Sequence, residues 1–199
     1  MISIVLYKFN LYQLTNILKI THYYLVIMEE LFDIVDENNK TIGTATRKET
    51  HAKGLLHKSV MFFIFNKKGE LFLNQRSSNK PFNPSAYSLV LGGHVTKDDS
   101  YEETVIREAQ EEAGITENPH FITTFKSRYK EKDKENVALY FFIVNKEPTL
   151  DKKEIQHGKF VPIEKIKDEL KKHTFIPETE IIYELLMENK DRIVAQLKK

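Results

Sequence analysis

The sequence predicts a single domain of mixed α/β class, and three observations carry that prediction. Two β-rich runs flank an Asn-Lys-Lys-Gly turn in KSVMFFIFNKKGELFLNQR, the pattern of a hairpin. Ser100, followed three residues later by Glu103, opens a helical pattern that Gly114 is placed to close. The chain end PETEIIYELLMENKDRIVAQLKK spaces its apolar residues as an amphipathic helix. Helices therefore pack on a sheet, and the pattern by itself specifies no finer architecture.

Composition bounds function before any motif is considered. A chain of 199 residues with 41% hydrophobic content can bury one substantial core. Its 30 basic and 29 acidic side chains leave a net charge of +1, so no global field favours nucleic acid or an anionic membrane, and neither is an expected partner. Charge-based function must be local. The absence of cysteine excludes disulfides, thiolate metal sites and cysteine nucleophiles, and it suits a reducing cytoplasm, the expected location.

Along the chain, residues 1–27 are rich in Ile, Leu and Tyr, but Lys8, Asn10, Gln13, Asn16, Lys19 and His22 interrupt them too often for a membrane span. No clean secretory signal is present either. The character changes at Met28, so residues 1–27 are expected to be an N-terminal extension and 28–199 the functional domain. The competing reading is an accessory amphipathic helix with Leu11, Leu14, Ile17, Leu18 and Leu25 on one face. MEELFDIVDENNKTIG then predicts a strand, a polar turn and a strand, and the hairpin follows. SSNKPFNPSAYSLVLGG is a loop re-entering a short strand at Tyr87 to Leu91. After the capped helix, expected over Tyr101 to Ala113, HFITTFKSRYK and VALYFFIVN form a second hairpin around the charged EKDKEN. EIQHGKFVPIEKIKDELKK supplies a strand and a helix begun at Pro162, and one terminal helix ends the chain.

The capped helix carries the chemistry. Val105, Ile106, Ala109 and Ala113 form an arc expected to face the core, with Glu108, Glu111 and Glu112 together on an adjacent arc. Carboxylates at these spacings repel by a few tenths of a kcal/mol, about 0.2–0.5 per pair when solvated, and by more when buried. An oxygen-only set of this kind suits a hard divalent ion such as Mg²⁺, with Mn²⁺ as the alternative, and such an ion favours phosphate oxygens as further ligands. The plainer alternative is a solvated charged helix face.

From Gly93 to Ile115 the spacing resembles the Nudix box, G-x5-E-x7-R-E-U-x-E-E-x-G-U with U aliphatic. Gly93, Arg107, Glu108, Glu111, Glu112, Gly114 and Ile115 fall on its positions, with Asp99 in place of the first Glu and Ala109 at an aliphatic position. The resemblance implies an α/β/α sandwich with a mixed sheet between helices. It implies that Glu108, Glu111 and Glu112 hold divalent metal, that Arg107 orients Glu108 and that the Gly93 loop shapes the site. The implied activity is hydrolysis of a diphosphate linkage in a small nucleoside-diphosphate-linked or related substrate, with Glu108 or a loop acid taking the proton. Glu131 and Glu135 are loop acids of this kind, though surface decoration is the plainer account of both.

The run from LFDIVDENNK to NQRSSNK also resembles the isopentenyl-diphosphate-isomerase-like group of Nudix proteins. That resemblance implies metal ligation by histidines matching His51, His57 and His94. The plainer account has His51 capping a turn, His57 beginning a strand and His94 bonded within its loop. The isomerases of the group carry a cysteine where this chain has Gly92, so an isomerase is disfavoured, and a non-catalytic ligand-binding module is the remaining alternative. Arg47, Arg76 and Lys80, beside Gly92 and Gly93, are candidate phosphate contacts, and Phe82 and Tyr87 are candidates to stack on a base.

Overall fold

Residues 29–130 and 133–198 of the computed structural model are described below; the expected extension at 1–27 and the candidate acid Glu131 lie outside them. Among the described residues, a hairpin of β1 (Leu31–Val35) and β2 (Thr41–Thr46) opens the fold. A seven-residue helix, α1 (Arg47–Lys53), follows and was not foreseen. Its signals are in the sequence: Thr46 accepts from the backbone N–H of Glu49, and Gly54 closes the helix at φ 62°.

The central strand is β3 (His57–Asn66), an almost continuous apolar run of the kind that suits burial on both faces. Its long partner is β8 (Asp133–Val144), parallel to it from His57 opposite Glu135 to Asn66 opposite Val144. On the other side of β8 lies β7 (His120–Lys130), antiparallel, which completes the second expected hairpin. β6 (Leu91–His94) runs antiparallel to the first half of β3.

The first predicted hairpin is regular only beside its turn. β4 (Glu70–Arg76) pairs with β3 at Phe65 opposite Leu71, then diverges to join β9 (Ile155–Pro162) and the short β5 (Tyr87–Ser88). This divergence opens a gap between β3 and β4. It also corrects the single strand expected over Tyr87 to Leu91. The chain leaves β4 after Ser88 and joins β3 at Leu91, and the Asn74 amide holds the crossing by donating to the carbonyls of Ser88 (3.0 Å) and Val90 (3.1 Å).

Helices cover both faces of the mixed sheet. Val60, Phe62 and Ile64 pack with Val105, Ala109 and Ala113 of α2 (Tyr101–Ala113), the helix expected from the capping box. The alternate residues Phe63 and Phe65 pack with α3 (Ile163–Lys172), α4 (Thr179–Glu188) and α5 (Lys190–Leu197). The capping box forms as expected, with Ser100 accepting from the N–H of Glu103 and Glu103 reaching back to the N–H of Ser100. Ile106, however, is 43% exposed, and Thr104 takes its expected place in the core. The expected single terminal helix is two, broken at Asn189, whose side-chain amide (2.9 Å) and backbone N–H (3.2 Å) both donate to Leu185 O. Among the described residues no helix is long and apolar enough to cross a membrane.

Candidate active site

The acidic helix enters the site through its buried face. At about 100° per residue, Glu112 lies only about 20° and Glu108 about 60° from Val105 around the helix, while Glu111 lies about 120° away. The three glutamates therefore do not share the separate arc that the sequence pattern predicts. Glu108 and Glu112 belong to the sheet-facing arc, and Glu111 stands at the rim with its side chain 61% exposed. Burial pushes the Glu112 carboxyl up to about 8, reinforced by Glu108 and Glu154 and opposed by Lys80 and Arg76. Burial also raises Glu108 against the pull of Arg107, with Glu111 and Glu30 adding to the rise. Arg107 Nη1 donates to Glu108 Oε1 (2.8 Å) and Glu111 Oε2 (3.3 Å), tying the buried acid to the rim.

Gly92 and Gly93, expected in a loop, lie in β6, and both are required by contact. A Cβ on Gly93 would lie 2.3 Å from the carboxyl carbon of Glu108, so a larger residue would displace that carboxylate. A Cβ on Gly92 would lie 2.0 Å from the backbone oxygen of Val60, a fixed part of the ladder.

Arg47, Arg76 and Lys80 line a cleft of about 360 Å³ together with Glu108, Glu111 and Glu112. Arg47 starts α1 and pairs with Glu30 at 2.8 Å; Lys80 pairs with Glu154. Arg76 ends β4, and its Nε is buried without a partner. Asp151 and Glu154 also line the cleft and escaped the sequence reading, because no motif contains them. Their loop is docked on the end of α2 by Thr149 N–H to Ala113 O and Asp151 N–H to Glu112 O, both 2.9 Å.

Deeper in, His51, His57 and His94 bring their ring nitrogens within 4.8 Å of one another. Strand register assembles them with a carboxylate. His57 is opposite Glu135 on β8, and Ser59 is opposite His94 on β6. Glu135 is thus not surface decoration: its side chain is 14% exposed, and Ser59 Oγ donates to it at 2.6 Å. Burial pushes Glu135 up, yet the hydrogen bond and charge of His94, the Ser59 hydroxyl and nearby His57 outweigh it and hold its pKa at about 2. His57 is pushed down to about 4, chiefly by burial. Its Nδ1 contacts Leu55 O at 3.0 Å, the donor arrangement of a neutral ring, which leaves Nε2 as a lone pair. That Nε2 is buried, has no hydrogen-bond partner and faces Glu135 Oε1 at 3.8 Å, with His94 Nε2 at 3.5 Å from the same oxygen. Two electron-rich groups facing each other in a buried space fit a cation between them, and three imidazoles with a carboxylate suit a borderline transition ion better than Mg²⁺. His51 sits in α1 and not in a turn. Of the stacking candidates, Phe82 is 65% exposed, and Tyr87 is packed on His173 at 4.0 Å between centroids.

A mixed sheet between helices, with a glycine-led acidic helix over a cleft lined by acids and by Arg47, Arg76 and Lys80, defines the class of a Nudix-fold domain. The NUDIX domain family model matches residues 55–182, and the chain belongs to that family. It is 32% identical over 142 residues to isopentenyl-diphosphate Delta-isomerase 1 of Photorhabdus laumondii, covering 68% of this chain and 81% of that one. It is 36% identical over 101 residues to an uncharacterised Nudix hydrolase of Streptomyces coelicolor, covering 51% of this chain and 56% of that relative's length. A crystal structure from Deinococcus radiodurans superposes with a TM-score of 0.68 over 80% of this chain and 98% of that one, at 22% identity, which speaks for the fold. Nudix hydrolases generally need a divalent metal.

Proposed function

We propose that the protein is a Mg²⁺-dependent hydrolase of a diphosphate linkage in a small molecule, nucleoside-linked or related. The observation that carries this is the cleft itself, which Glu108, Glu111 and Glu112 line together with Arg47, Arg76 and Lys80. The helix carboxylates fit divalent metal, and Arg47, Arg76 and Lys80, which line the same cleft, fit the phosphate oxygens that such metal leaves exposed, the two arginines as forks. A bound divalent ion would supply charge neutralisation and a lowered pKa for the attacking water. Arg47, Arg76 and Lys80 hold the diphosphate, and Arg107 keeps Glu108 aimed at the cleft. Glu108, whose pKa is raised, accepts a proton from the water as its oxygen bonds to phosphorus. The bridging P–O bond breaks, and its electron pair leaves with the departing phosphate. Mn²⁺ is the alternative ion. The cytoplasm is the proposed compartment, in keeping with the absence of cysteine.

A second reading, diphosphate isomerisation, draws on the histidine set with Glu135. Moving a double bond requires a proton donor and an acceptor flanking the hydrocarbon, and position 92 supplies neither, because only glycine fits against Val60 O. The test is a panel of diphosphates, isopentenyl diphosphate included, incubated with purified protein and Mg²⁺ or Mn²⁺, with products identified by mass. Cleavage is the expected result; conversion of isopentenyl diphosphate to its allylic isomer with nothing cleaved would overturn the proposal.

A further inference from the structure

Lys80 and Glu112 lie on separate segments, yet a path of four backbone hydrogen bonds joins them. Asp151 N–H donates to Glu112 O (2.9 Å), Glu154 N–H to Asp151 O (3.0 Å), Ser77 N–H to Glu154 O (2.8 Å) and Lys80 N–H to Ser77 O (3.2 Å). Strand pairing stiffens the middle of this path. Ile155 N–H also donates to Asp151 O (2.8 Å), and Ile155 opposes Arg76, the residue before Ser77, where β9 meets β4. Ser77 is buried and its hydroxyl accepts from Asn79 N–H at 3.3 Å, so the turn from Ser77 to Lys80 is closed from within.

Glu154 grips this turn at both ends. Its carbonyl takes the N–H of Ser77, and its carboxylate pairs with Lys80 Nζ. The two side chains are 23% exposed for Lys80 and 33% for Glu154, so solvent screens the pair only in part. An ammonium group carries three donors, and one spent on Glu154 leaves two for phosphate oxygens in the cleft that both residues line. A free lysine loses its rotamer freedom when it grips a phosphate, whereas a lysine already held by Glu154 has lost much of it beforehand. Glu154 also repels phosphate by its charge. Arg47 and Arg76, in the same cleft, offset that repulsion, and the ordering of Lys80 decides the sign.

We propose that Glu154 is a positioning residue that holds Lys80 for the diphosphate, and that its loop is a strut fixing the distance from the acidic helix to that lysine. This rests on Lys80 as a phosphate contact, as in the function proposed above. It does not rest on cleavage.

The experiment is a double-mutant cycle in the full chain: Glu154→Gln, Lys80→Met and the two together. Binding of methylenediphosphonate, which resists cleavage, is measured by calorimetric titration with Mg²⁺ present. Glu154→Gln keeps the backbone path and the side-chain shape, and it should weaken the diphosphonate about tenfold. Lys80→Met should weaken it at least as much, and adding Glu154→Gln to Lys80→Met should change affinity by less than about twofold. For any diphosphate that is cleaved, the loss in Glu154→Gln should appear in KM and leave kcat within about threefold. Binding unchanged in Lys80→Met, unchanged or tighter in Glu154→Gln, or weakened equally by Glu154→Gln with and without Lys80, would overturn the inference. So would a loss of Mg²⁺ affinity of about tenfold or more that persists in the Lys80→Met background, because Glu154 would then be a metal ligand. If Glu154→Gln falls short of the wild-type Tm, Glu154→Ala enters the same cycle with the same readings. If no diphosphate is cleaved, the hydrolase reading fails and the cycle still decides: coupling between Glu154 and Lys80 supports the inference, and its absence overturns it.

Discussion

The acidic helix and the histidine set meet at His94, which lines the cleft with Glu108 and Glu112, yet they are assembled in opposite ways. Glu108, Glu111 and Glu112 come from a single turn-and-a-bit of α2, so their mutual placement is a local property of a helix. His51, His57, His94 and Glu135 come from a helix and three strands, and they meet through the pairing of β3 with β6 and β8. Their electrostatics differ as well. Glu108 and Glu112 are pushed toward the neutral form by burial and by neighbouring carboxylates, whereas Glu135 is held ionised by hydrogen-bond donors. At one end buried carboxylates crowd one another beside Arg107; at the other the lone pair of His57 Nε2 faces the Glu135 carboxylate.

Glu112→Gln attacks the acidic end alone and carries the largest expected effect. Turnover with Mg²⁺ should fall by orders of magnitude, and Mg²⁺ affinity with it. Stability should change with a defined sign. The Glu112 pKa rises from 4.5 unfolded to about 8 folded, so its stabilising contribution is present below pH 4.5 and is lost as pH rises through about 8. The metal-free variant should therefore melt at or above wild type at pH 8 and beyond. Unchanged turnover would remove Glu112 from the metal site.

Gly93→Ala tests how finely the acidic end is placed. The new methyl group would push the Glu108 carboxylate aside, and a displacement of this size should cost about 10²-fold in kcat/KM. Full activity in a correctly folded variant would show that the Glu108 position is not critical.

His57→Gln separates the two ends. Mn²⁺ or Zn²⁺ affinity at the histidine site should fall about 10-fold to 100-fold, with Mg²⁺ binding at α2 retained, as followed by calorimetric titration of each metal. Equal loss at both ends would mean that they form one coupled site. The smallest effect is expected from deleting residues 1–27, which should leave melting temperature and both metal affinities near wild type. A loss of several degrees would make that segment integral to the domain.

The capped acidic helix, its glycine stops and the order of most strands were legible in the sequence because each rests on contacts within a few residues. Even there the wheel misled at its edges. Ile106 was assigned inward and Thr104 was not, since which edge of an arc is buried depends on the tilt of the helix on the sheet. The unforeseen α1 had its Thr46 and Gly54 signals, but at seven residues it was too short to show a period.

What the sequence determined by itself was the family, the mixed α/β class and the identity of the acidic cluster, because a helix converts spacing directly into geometry. Only the tertiary structure decided that Glu135 belongs beside the histidines, 76 residues from Ser59 in the chain, and that Asp151 and Glu154 face Glu112. It also decided that β3 and β4 part to leave a small cavity. Strand register and divergence are set by the packing of the whole sheet against helices on both faces, and no local pattern encodes them.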